Sequence, residues 1–237
     1  MRLQSHFFQH QNDIFNMKNI FGIFTLLLTV SLFTSCNNAP KGDKVEAKEA
    51  MEEKAAPAAA MSYGVDTQAS KIMWTGSKPT GQHTGTINIK DGSVAVADGN
   101  ITGGEFTIDF TSLVCTDLKP GEGKEDLEGH LKTGDFFEVE KFPTGTFTVI
   151  GVEAVSGDAE VTHNITGNLT MKGQTKSVTI PTNVAMMGDK ISAQSTAFTI
   201  DRTQWGINFH SGTLAGTAKD KIINDQVGLV ITLVASK

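Results

Sequence analysis

"GEFTIDF", residues 104–110, alternates apolar and polar side chains without a break. Phe106, Ile108 and Phe110 fall on one face, and Glu105, Thr107 and Asp109 on the other. A period of two marks a strand with one face on a core and the other toward water. The same texture runs outward in both directions: residues 71–78, 82–89, 93–97, 144–152, 160–171, 175–185, 190–200 and 226–235 are rich in Val, Ile, Thr and Phe, with turn residues between them. Glycine fills 22 of the 175 positions from 63 to 237, well above the usual share of roughly 7%. Eight or nine strands with one helical interruption point to an antiparallel barrel or sandwich and away from repeated β–α–β units.

The interruption is "GKEDLEGHLKTG" (123–134). Leu127 and Leu131 lie four apart with His130 on their face, Glu128 and Lys132 form an i,i+4 pair, and Gly134 stands where a C-terminal cap belongs. Asp135 with Glu138 has capping-box spacing, which predicts one more turn across "DFFE" (135–138). Phe136 and Phe137 then project onto the sheet or into a cavity mouth, and Pro143 admits the chain to the next strand.

The N-terminal part reads differently. From Met17, Lys18 precedes an apolar run, Ile20 to Phe33, and then the small residues of "LFTSC" (32–36). This is the layout of a secretory signal peptide, too short for an ordinary membrane span. Its end resembles a bacterial lipobox, with Phe33 where leucine is common; the resemblance implies lipidation at Cys36 and a bacterial source. Residues 1–16 are unlike a signal peptide, so Met17 is the expected start. Loss of 1–36, with Arg2, Lys18 and Asp13, changes the net charge from −6 to −7. An acidic exported chain is a poor partner for nucleic acid. Only Cys115 then remains, so no intrachain disulfide is expected. Residues 37–62 are rich in Ala, Glu and Lys and read as a flexible tether, and 63–237 as one domain.

Signatures of the common hydrolases, zinc proteases, P-loops and EF-hands are missing. The four histidines outside 1–36, His83, His130, His163 and His210, stand on different elements with no local ligand spacing, and no metal site is expected. "NIT" and "NLT", at Asn164 and Asn168, read as strand residues. Arg202, beside Trp205 in "FTIDRTQWGI", either meets an anionic ligand group or pairs with Asp201 or Asp225.

Four segments together resemble the YceI-like, or polyisoprenoid-binding, domain family: "GHLKTGDFFEVEKFPTGTF" (129–147), "ITGNLTMKGQTKSVTIP" (165–181), "FTIDRTQWGI" (198–207) and "INDQVGLVITLVA" (223–235). The family's Arg-Asp before the histidine is replaced here by Lys124 with Glu125 or Asp126. The resemblance implies an all-β fold, an extended eight-stranded antiparallel β-barrel, lipocalin-like, with a short helical insertion. It also implies an elongated apolar cavity that holds a polyisoprenoid, such as a quinone or polyprenyl chain, with no other cofactor. The residues expected at that ligand are Phe106, Phe110, His130, Phe136, Phe137, Phe142, Phe147, Arg202 and Trp205. An envelope lipid-binding protein follows, non-enzymatic, acting as carrier, store or sensor. Its expected place is the periplasmic or surface side of the outer membrane in preference to the inner one. A plugged barrel serving as an interaction module is the alternative, and the oligomeric state is left open, with a dimer as one option.

Overall fold

The computed structural model describes residues 39–53, 57, 59–214 and 216–237. The expected signal peptide and Cys36 lie outside them. Among the described residues, twelve strands and one α-helix follow in chain order: β1 (Asp43–Lys44), β2 (Lys48–Glu49), β3 (Met61–Val65), β4 (Lys71–Lys78), β5 (Gly81–Ala97), β6 (Asn100–Cys115), α1 (Lys124–Leu131), β7 (Thr144–Ala154), β8 (His163–Met171), β9 (Gln174–Met187), β10 (Lys190–Ser195), β11 (Phe198–Asp201) and β12 (Gln226–Ser236). A 3-10 turn, Arg202–Trp205, follows β11.

Eight of these strands close into a ring. Antiparallel pairing runs from β4 through β5, β6, β7, β8, β9 and β10 to β12, and β12 pairs back to β4. Closure leaves the ring with no edge strand, apart from one seam. The barrel read from the sequence is therefore the fold. Two boundaries differ in an informative way. The runs at 82–89 and 93–97 form one long strand, β5, whose pairing with β6 shifts register three times. Between Ile89 and Val94 the buried side of β5 swaps, from Ile87 and Ile89 to Val94 and Val96, so the alternation read as two strands is one strand with irregularities. Conversely, the run at 190–200 breaks between Ser195 and Phe198 into β10, which pairs with β9, and β11, which does not.

That break opens a seam. Past Ser195, β11 follows β12 while the first half of β9 stays with β8. Residues 43–49 fill the space between: β1 runs parallel to β11, and β2 antiparallel to β9. Within the expected flexible tether of 37–62, residues 43–51 are instead folded onto the barrel: Val45 is buried and joins the main core with Val178 and Phe198, and Met51 is held by Asn168. The composition misled because a filler strand needs only one or two inward apolar residues, and Val45 and Ala47 suffice.

Candidate ligand chamber

The ring encloses a cavity of about 430 Å³, inside the range of roughly 300–1,000 Å³ common for ligand sites. Its wall is nearly all hydrocarbon. Phe106, Ile108 and Phe110, the apolar face that defined β6 in the sequence, all line it. Small residues leave the space open: Gly103 and Ala193 are lining positions, and Gly85 lies directly beneath the Trp74 ring. A Cβ at Gly85 would stand 2.4 Å from Trp74 Cζ2, so glycine is what lets that indole lie flat on the wall.

The two ends differ chemically. One is closed by a separate packed cluster of Tyr63, Val94, Val96, Ile191 and Ala235. At the other, where β4 turns into β5, the lining includes Ser77, Lys78 and His83, and the helical insertion adds Leu127, His130 and Phe136. The side chains of His83 and His130 are 35% and 40% exposed, so this is the end that meets water. Trp74 lies two residues along β4 from Gly76, the partner of His83. Its Nε1–H is buried without an acceptor, one of two such side-chain atoms among the described residues.

Of the residues expected at the ligand, Phe106, Phe110, His130, Phe136, Phe137, Phe147 and Arg202 line the chamber, and Phe142 and Trp205 do not. Phe142 lies against the Gly173 turn, beneath Lys141 Nζ. Trp205 is fully buried within the wall, where its Nε1–H donates to the Leu169 carbonyl at 2.9 Å. Aromatic type alone could not separate lining from packing.

The insertion holds its phenylalanines by a route the sequence did not predict. Asp135 caps no turn; its carboxylate meets His130 Nε2 at 2.9 Å. The Phe136 and Glu138 N–H groups donate to the Thr133 carbonyl, and Phe137 N–H to that of Leu131. Gly134 is not the helix cap, a place Lys132 takes, and Glu128 pairs with Lys124 rather than with Lys132. Glu128 Oε1 also accepts the Cys115 backbone N–H at 2.7 Å, which ties α1 to β6. The His130 ring meets Phe136 and Phe209 edge-on, at 5.1 and 4.9 Å between centroids. Phe137 stacks on Phe110 at 4.7 Å.

Arg202, 4% exposed, resolves to pairing. It donates to the carbonyls of Asn224, Ile207 and Ile223 and to Asp225 Oδ1 at 3.2 Å. Burial pulls its pKa down, against the opposing pull of Asp225 and then Asp201. Asp225 is shared with Ser211, whose hydroxyl donates at 2.8 Å. The guanidinium thus fastens the segment after β11 to the start of β12.

One cluster was invisible to spacing. His83, Cys115 and Asp117 bring their ligand-type atoms within 4.8 Å of one another. Thirty-odd residues separate His83 from the other two, and only the β5–β6 pairing unites them. Asp117 accepts from Thr84 N–H at 2.7 Å and from the Cys115 thiol at 3.2 Å, and meets His83 Nδ1 at 2.9 Å. Partial burial works against its charge, but these partners hold its pKa down at about 2. Burial pushes the Cys115 thiol up.

Comparison with known proteins places this architecture. The model of the YceI-like domain matches residues 63–235. A stretch of 64 residues is 45% identical to a UPF0312 protein of Pseudomonas aeruginosa and 40% identical to protein YceI of Salmonella newport. In each case it spans 27% of this chain and 31% of the relative, so the match covers about a third of those curated proteins. Among solved structures, Burkholderia cenocepacia BcnA is 25% identical with a TM-score of 0.55, over 73% of this chain and 99% of BcnA. A polyisoprenoid binding domain from Saccharophagus degradans, implicated in plant cell wall breakdown, is 20% identical with a TM-score of 0.52, over 73% of this chain and 97% of that one.

Proposed function

The chain belongs to the YceI-like domain family, and from that premise and the chamber at its centre we propose that it binds a long apolar lipid, of the polyisoprenoid class, inside the barrel. The observation that carries the reading is the open hydrocarbon-lined cavity, where a plugged barrel would have none. The Saccharophagus neighbour, described as polyisoprenoid-binding, supports the ligand class.

The mode of action in this reading is partition. Burying hydrocarbon from water is worth about 0.8 kcal/mol per CH₂, but a lipid tail drawn from a bilayer is already dry. Most of that gain cancels, and exchange between membrane and chamber stays near balance, as a carrier, store or sensor needs. The groups that resemble catalytic pairs are engaged structurally: His130 with Asp135, and His83 with Asp117. An outer-membrane lipoprotein anchored through Cys36, facing the periplasm or the surface, is the setting that the N-terminal sequence supports.

The test is native mass spectrometry and lipid extraction of the full chain purified from a bacterial envelope. Co-purification of a prenyl lipid, or its stoichiometric uptake from vesicles, is expected. A chamber that is consistently empty and takes up none overturns the reading.

A further inference from the structure

The segment 39–51 lies outside the residues matched by the family model, yet it completes the barrel wall. Gly42 passes so close to β11 that a Cβ on it would meet the Ala197 backbone at 2.5 Å, and its φ of +129° suits glycine. The Asp43 and Val45 N–H groups then donate to the carbonyls of Ala197 and Thr199. Glu49 meets Lys176 Nζ at 2.8 Å. Met51 ends the segment in a two-point clamp, its N–H donating to Asn168 Oδ1 at 2.9 Å and its carbonyl accepting from Asn168 Nδ2 at 2.8 Å.

Asn168 and Ser177 supply an independent sign of what the segment does. They alternate with the chamber-lining Leu169 and Val178, so they point to the outside of the barrel, yet they are only 4% and 3% exposed. Polar side chains on an outer face become that buried only when something lies over them. The cover is attached lightly: β1 and β2 are two residues each, and Val45 is the one buried apolar side chain between Asp43 and Glu49. Lining residues flank the seam it covers, Val178 and Ile180 on β9 and Phe198 and Ile200 on β11.

We propose that residues 39–51 are a removable strap, and that the seam it closes between β9 and β11 is the side passage by which a long apolar chain enters and leaves the chamber. The passage rests on the lipid-binding reading; the opening of the strap does not. A lateral slit suits a linear chain, which slides in without passing the polar rim at His83 and Lys78. If Cys36 is the lipidated terminus, at most about 14 Å of extended chain separates it from Pro40, which packs on Gly228 of β12. The strap then follows directly on the anchored end of the chain.

Two measurements on the full chain test this. In Ser177→Cys, the new thiol lies beneath the strap, and Cys115, fully buried, reports global opening. Labelling at position 177 at least tenfold faster than at Cys115 is expected; equal rates overturn the strap as a separately opening element, whatever the ligand. In Lys48→Cys with Ser177→Cys, on a Cys115→Ser background, a disulfide across the paired positions locks the strap. Uptake of a prenyl quinone from phosphatidylcholine vesicles should slow at least tenfold on oxidation and recover on reduction, with the final amount bound unchanged. Uptake at an unchanged rate in the locked form overturns the side passage. Absence of uptake in both forms overturns the lipid-binding reading and the passage with it, and leaves the labelling result to decide the strap.

Discussion

His130 Nε2 stands 2.9 Å from Asp135 Oδ2, and this bond folds the chain back at the point where it presents Phe136 to the chamber. The ring also fills the angle between Phe136 and Phe209. His130→Ala therefore removes two aromatic edge contacts of roughly 0.5–1.5 kcal/mol each together with an exposed pair of small value. A loss of about 1–2 kcal/mol in urea unfolding is expected, with prenyl-lipid binding retained. Loss of binding in a variant that keeps its fold would make His130 a ligand contact instead.

Filling the chamber separates ligand space from structural core. Ala193 lines the cavity on β10, so Ala193→Phe should occupy it. Uptake should fall at least tenfold while the melting temperature stays within a few degrees. A variant that binds as well as the parent would show that the lipid sits elsewhere.

Phe110 offers the complementary change. It is 2% exposed and stacks on Phe137. Phe110→Ala should cost roughly 3–5 kcal/mol, as for a large aromatic truncated in a core. Chemical denaturation measures the cost, and a change below about 1 kcal/mol would mean that the insertion repacks onto the sheet.

Arg202→Ala should be as damaging for a different reason. It strips partners from three carbonyls and leaves Asp225 with Ser211 alone as a partner in a largely buried place. Removing one member of a buried pair typically costs about 3–5 kcal/mol. Binding per folded molecule should survive, since the guanidinium is committed to the protein.

Acid provides a test at Asp117. Its folded pKa is about 2 against an ordinary value of 3.8. A depressed folded value means that stability is present above the unfolded value and is lost as pH falls through the folded one. Between pH 4 and pH 2 the melting temperature of the parent should fall more steeply than that of Asp117→Asn. Parallel curves would mean that the carboxylate gains nothing from Thr84, His83 and Cys115.

The barrel was legible because period-two alternation is a local property that closure does not disturb. Seven of the nine residues expected at the ligand line the chamber: Phe106, Phe110 and Phe147 lie on strands read from that alternation, and His130, Phe136, Phe137 and Arg202 lie off the strands. The failures share a cause. Trp205 and Phe142 look like their lining neighbours, and only three-dimensional position separates them. The His83, Cys115 and Asp117 cluster depends on the β5–β6 register, and the Asp135 capping box lost to a bond with a histidine five residues earlier. Most telling is the strap, whose Lys and Glu content resembles that of a solvated linker. Two short edge pairings and one valine were enough to fold it onto the barrel.

The strap also bears on how the domain behaves when isolated. A chain cut near Tyr63, the first residue matched by the family model, leaves one side of the first half of β9 and one side of β11 without neighbours. Their N–H and C=O groups then form exposed sheet edges, which recruit strands from other molecules. Such a fragment should self-associate in proportion to its concentration, and a synthetic peptide of residues 39–51 should return it to the monomer.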